Sequence, residues 1–184
     1  MRELAQHILT NANAFEWSLQ GMGLLRLHLP NHCRLHVWDS RFRKPGVSMI
    51  HDHLQWGLHS TILAGVMTNR RYVEDANGTE VMHMTIKPGY GYFKKSEPAG
   101  IRLRALPAEF YRPGETYSQE PNEIHETDAD DGTVTFMRKS PTTDESARVF
   151  WPLGQEWGSA EPRIATAGEV TAITEHALKR WFGV

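Results

Sequence analysis

Two histidines two residues apart stand in Ile50-His51-Asp52-His53, and a third comes much later in Glu123-Ile124-His125. Side chains alternate between the two faces of a strand, so His51 and His53 project from the same one. Neutral imidazoles are common transition-metal ligands, and a pair from one strand joined by a third from a distant strand forms one side of a metal site. The expected ligand set is therefore His51, His53 and His125. Ligand identity alone does not choose the ion, because zinc binds three histidines as readily as iron does. The plain alternative is that all three are ordinary polar residues on strands.

Other residues join the candidate list by position. Glu123 shares strand parity with His125, which makes it the expected polar group inside the site and a catalytic candidate. Asp52 and Glu126 have the opposite parity, so they are poor choices for holding the ligand rings from behind. His59 is a candidate fourth ligand. Tyr72, Tyr90, Tyr92 and Tyr117 are candidate phenol donors, and Trp56 a candidate pocket wall. His28 and His36 are expected to face each other across the first hairpin.

The elements that must position these groups are mostly strands. The first twenty residues have helical spacing, with an apolar stripe of Leu4, Ile8, Leu9, Ala12, Phe15 and Leu19, and Gly21 and Gly23 close it. Short apolar or alternating runs follow: 24–29, 35–38, 47–53, 58–66, 81–86, 91–94, 101–106, 115–118, 123–127 and 133–138. Pro30-Asn31, Asn77-Gly78, Lys87-Pro88-Gly89, Arg112-Pro113-Gly114 and Asp131-Gly132 punctuate them as turns. Many short strands in one domain predict an all-β sandwich or barrel and argue against a βαβ fold. Residues 141–167 lack a period and read as a loop anchored by Phe150, Trp151 and Trp157. Glu169 to Phe182 reads as a helix with Val170, Ile173, Ala177 and Trp181 on one face. The expected organisation is a single domain over 1–184: an N-terminal helix (1–22), a barrel (23–140) and a C-terminal loop and helix (141–184).

The spacing Gly46, His51, His53, Gly65 resembles the first motif of the cupin superfamily, and Gly114, Pro121, His125 is similar to its second. The resemblance covers roughly residues 30 to 140 and implies a double-stranded β-helix, or jelly-roll, barrel with flanking N- and C-terminal helices. The acidic ligand of the first cupin motif would fall near Leu58, which cannot bind a metal. A three-histidine set without a carboxylate resembles the thiol dioxygenase branch, typified by cysteine dioxygenase. That branch implies Fe(II), with zinc, nickel or manganese as alternatives, and a small thiol oxidised by O2 to a sulfinic acid. It also implies an arginine on an early strand that holds the substrate carboxylate. Arg26, in the apolar setting Leu24-Leu25-Arg26-Leu27-His28, suits such a clamp and is a catalytic candidate; Arg34, Arg102 and Arg104 are its competitors. The branch's serine-histidine-tyrosine series is missing, with Thr135, Met137 and Lys139 nearest to it, which puts cysteine itself in doubt as substrate. The rival readings are a cupin oxygenase that cleaves a carbon-carbon bond, and a non-catalytic cupin that binds a small ligand or metal.

Composition bounds the rest. The chain has 184 residues, a formal net charge of -2 and one cysteine, Cys33. No basic run points to nucleic acid or to an anionic membrane, and one cysteine allows no internal disulfide. The expected partners are a small-molecule substrate and O2, without nucleic acid or membrane. A cytoplasmic location is expected, and a homodimer formed through barrel strands is a possible assembly.

Overall fold

The computed structural model describes residues 1–88 and 93–183. Helix α1 (Arg2–Thr10) buries Ala5, Ile8 and Leu9 and is followed by a 3-10 turn over Ala12–Ala14. The helix expected over 1–22 thus ends at Thr10, and Leu4 and Phe15 of its apolar stripe are exposed. Leu19 is buried in strand β1 (Ser18–Gln20), which pairs with the next strand through Ser18↔Arg26 and Leu19↔Leu25. Backbone pairing with a neighbour outweighed a helical period carried by few residues.

Strands β2 (Met22–Leu29) and β3 (Cys33–Arg43) form the expected hairpin. Its turn places Asn31 and His32 at φ 59° and 58°, the left-handed pair that matches the twist of tightly joined strands. Then come β4 (Ile50–His51), β5 (Leu58–Ala64), β6 (Met67–Pro88), β7 (Phe93–Lys95), β8 (Ala99–Ala105) and β9 (Glu109–Tyr111). The last strands are β10 (Thr116–Gln119), β11 (Ile124–Ala129), β12 (Val134–Lys139), β13 (Ala147–Pro152) and β14 (Arg163–Ile164). Helix α2 (Ala167–Ala177) starts at a capping box between Thr166 and Glu169 and runs into a π-helical turn over Leu178–Phe182.

Two antiparallel sheets result. One has the order β10-β5-β12-β3-β2-β1-β14; the other runs β11-β4-β13-β6-β7, with β8 and β9 also paired to β6. Two expectations are corrected. Asn77-Gly78 is no chain-reversing turn: β6 continues through it, and its register with β8 shifts between Glu74 and Thr79. Segment 141–167 is not all loop, because β13 enters the second sheet between β4 and β6. Residues 89–92, part of an expected turn and of the strand 91–94, fall outside the described residues, and Tyr90 and Tyr92 with them.

Alternation gives the first sheet two apolar faces. Leu25, Leu27, Leu35, Val37 and Val134 pack against Ile8 and Leu9 of α1 and Val170 and Ile173 of α2. Leu24, Trp38, Leu58, Ile62 and Met137 point the other way and meet Met49 and Met67. At the end of β5, Gly65 has φ +83°, and a Cβ there would stand 2.8 Å from Thr133 Cα. Only glycine takes that conformation and approach without strain. No helix among the described residues is long and apolar enough to cross a membrane.

Candidate metal centre

His51 closes β4, His53 lies just beyond it, and His125 on β11 is the Cα partner of His51. The three offer ring nitrogens that all lie within 4.8 Å of one another. Their rings are in mutual contact, with centroids 4.3 Å apart for His51 and His125 and 4.9 Å for His51 and His53. Three imidazoles drawn this close without an acid between them is the arrangement of a metal site.

Two of the rings are held so that a lone pair stays available. His51 Nδ1 lies 2.9 Å from the Met49 carbonyl oxygen, which can only accept, so that nitrogen carries the hydrogen and Nε2 is free. His125 Nδ1 is near Asn69 Oδ1 (3.4 Å) and Thr127 Oγ1 (3.3 Å), while its buried Nε2 has no protein partner. His53 stacks on Trp56 with centroids 3.7 Å apart. Burial holds all three pKa values below the usual histidine value of 6.5, and for His53 and His125 well below it. Neutral, oriented imidazoles with an orphaned nitrogen fit a divalent transition metal. Bonds of about 2.0–2.1 Å would draw the rings inwards from their present spacing.

The groups that orient the ligands are the Met49 carbonyl, the Asn69 amide and the Thr127 hydroxyl, none of them adjacent carboxylates. Asp52 faces away and is fully buried, accepting from Arg148 N and Nε at 2.7 Å each. Glu126 accepts from the Tyr72 hydroxyl at 2.7 Å, so that phenol too is turned from the site.

Two further expectations are corrected. Glu123 precedes β11 and does not line the cavity at the histidines; its carboxylate meets Arg71 Nε at 3.3 Å and accepts from Glu120 N. Parity failed because the strand begins only at Ile124. His59 is exposed on the outer side of β5 with its Nδ1 2.7 Å from Ser118 Oγ, so it is not a fourth ligand. Leu58, on the inward side, lines the cavity with its apolar side chain.

The cavity over the histidines measures about 250 Å³. Its far wall belongs to the first sheet, where Arg26, Arg34 and His36 all face in. Arg26, expected as a carboxylate anchor, thus lines the cavity, and so does Arg34, one of its competitors. Arg102 and Arg104 pair with Glu80 and Asp75 instead. The register is Arg26↔His36 and His28↔Arg34, so the two histidines of the hairpin are offset and not opposite. Tyr117 is the cavity's phenol, its pKa raised by burial, with Ser60 and Thr127 as hydrogen-bond partners.

Sequence reasoning missed Asn69, His36 and Glu145. Glu145 lines the cavity and pairs with Lys139, with Arg34 Nη2 3.7 Å away. Lys139 and Arg34 lie over the Trp56 ring at 5.3 Å and 5.7 Å from its centroid. As a cavity residue, His36 could have been found from its shared parity with Arg34 and Trp38; nothing local marks Asn69 or Glu145. No protein-family profile matches the chain, and no curated protein matches it.

Proposed function

We propose that the chain is a cupin-type double-stranded β-helix enzyme, a mononuclear non-haem iron dioxygenase that converts a small thiol and O2 to a sulfinic acid. Both oxygen atoms go to sulfur (R–SH + O2 → R–SO2H), so no outside reductant is needed. One observation carries the reading: a neutral, carboxylate-free triad, His51, His53 and His125, opens onto a cavity with cationic groups on its far wall. Those three histidines would hold the iron, which supplies the redox chemistry that lets O2 react with sulfur.

The chain's own residues do the rest. Arg26 binds the carboxylate of the substrate with its planar guanidinium and so fixes where the sulfur sits. Arg26 and Arg34 raise the positive potential of the cavity, which favours the thiolate over the thiol. Tyr117, kept protonated by burial, offers a hydrogen-bond donor on the inner face. Leu58, Trp56 and Met137 exclude water from the reacting end.

The reading is tested with an oxygen electrode on iron-loaded protein and a panel of small thiols, with sulfinate identified by mass spectrometry. Uptake matched by sulfinate, and abolished in His125→Ala, is the expected result. No uptake with any thiol sinks the sulfur chemistry.

A further inference from the structure

We propose that the cavity selects a small dicarboxylate, and that Arg26, Arg34 and His36 form the subsite for its two carboxylates opposite the triad. This names the substrate class of the site described above and rests on that reading for the identity of the reacting group: a thiol that bears two carboxylates.

The subsite is built by the β2–β3 hairpin. Arg26 and His36 are Cα partners, and Arg34 is two residues from His36 on the same face of β3. All three line the cavity. Histidine ligands come from the second sheet and the basic groups from the first, so a ligand between the sheets touches both.

The basic groups keep donors to spare. Arg26 Nε donates to Ser18 Oγ at 3.2 Å, and its two terminal nitrogens have no acceptor among the described residues. Arg34 is buried and makes no side-chain hydrogen bond among the described residues; its one partner there is Glu145, in an ion pair at 3.7 Å. The His36 ring is buried with no protein partner for Nε2. In the tautomer where His36 Nδ1 accepts from the Thr135 hydroxyl (3.4 Å), Nε2 carries a hydrogen and presents it to the cavity. Buried donors without acceptors are costly and rare, and a ligand that supplies acceptors removes the cost.

Charge sets the number of carboxylates. Arg26, Arg34 and Lys139 face one carboxylate, Glu145, and that one is paired with Lys139. Glu145 is shared with Arg34 at 3.7 Å, and the three cations still exceed that one carboxylate by two charges. Their mutual repulsion is felt: Arg26 is pushed down to about 10, first by burial and then by the charge of Arg34. One carboxylate leaves a buried charge unpaired, whereas two give each guanidinium the planar partner it binds best. A cavity of about 250 Å³ restricts the ligand to a short chain. Glu145 then acts as a tethered competitor, since its carboxylate draws on the same cations.

Calorimetric titration of the full chain, with the metal removed by chelator, tests the subsite without reference to the metal. The probes are succinate, propionate, β-alanine and inorganic phosphate. Succinate is expected to bind at least tenfold more tightly than each of the other three. Arg26→Met and Arg34→Met should each weaken succinate about tenfold or more. Glu145→Gln, with its fold checked by circular dichroism, should tighten succinate at least threefold. Equal affinity for succinate and propionate overturns the proposal, and so does weaker succinate binding by Glu145→Gln. Preference for β-alanine would assign Glu145 to an ammonium group, and preference for phosphate would mean one doubly charged group; either overturns it. Because the readout is binding to metal-free protein, these results stand apart from the oxygen-uptake test. Tight succinate binding without thiol oxidation would remove the sulfur reading alone.

Discussion

Asn69 illustrates how much of the site rests on single side chains that carry no motif. Its Oδ1 meets His125 Nδ1 at 3.4 Å and accepts from Gln119 Nε2 at 3.3 Å, all of it buried. A ligating histidine is oriented by whatever holds its second nitrogen, and loss of that partner typically weakens metal binding about 10–100-fold. Asn69→Leu keeps the volume and removes the acceptor. Zinc or cobalt competition against a chromophoric chelator should therefore show a fall of about 10–100-fold, with the fold retained by circular dichroism. An unchanged affinity would mean that Thr127 alone orients the ring.

At the level of elements, β4 is only two residues long and cannot hold His51 by itself. It is clamped between β11, through His125↔His51, and β13, through Val149↔His51. Asp52 completes the clamp by binding Arg148 of β13 through both its backbone and its guanidinium, with Arg148 also meeting Glu74 of β6. The acid between the two histidines thus fastens the strand that carries them. Asp52→Asn should lower unfolding stability by about 2–3 kcal/mol in urea, because a buried ion pair loses one member. Adding Arg148→Met should cost less than the sum of the two single changes. Full additivity in that cycle would show that the pair is not the clamp.

On the scale of the whole molecule, a cavity is left between two sheets, with four histidines around it, His36 and His125 buried and His51 and His53 half-buried. Burial holds His36, His51, His53 and His125 below the ordinary value of 6.5, so the folded chain refuses protons that the unfolded chain accepts. Stability without metal is therefore complete above about pH 6.5 and declines as pH falls from there towards the lower folded values. Each such histidine adds a slope of up to about 1.4 kcal/mol per pH unit within its window. Urea unfolding of the chelator-treated protein between pH 7.5 and 5 should show this loss, and saturating zinc at pH 7.5 should raise stability further by mass action. A flat profile would mean that the rings are open to water.

The sequence by itself determined the β-rich class, the first hairpin, the C-terminal helix and the convergence of His51, His53 and His125. These rest on local rules: period two on strands, turn residues at Pro30-Asn31, and an apolar stripe of helical period. The resemblance to the cupin motif also singled out Leu58 as a position without an acid, and the structure turns that side chain inward. Only the tertiary structure decided the surroundings. Glu123 left the site because β11 starts one residue later than its parity required, and His59 left it because alternation on β5 turns it outward. Strand β13 was hidden in a Pro- and Gly-bearing stretch, since its place depends on gaps left by β4 and β6 and not on its own pattern. Asn69, Glu145 and the pairing of Arg26 with His36 come from segments far apart or from register across a sheet. A side chain's type fixes what chemistry it can do, whereas its partners are set by long-range pairing that no local window contains.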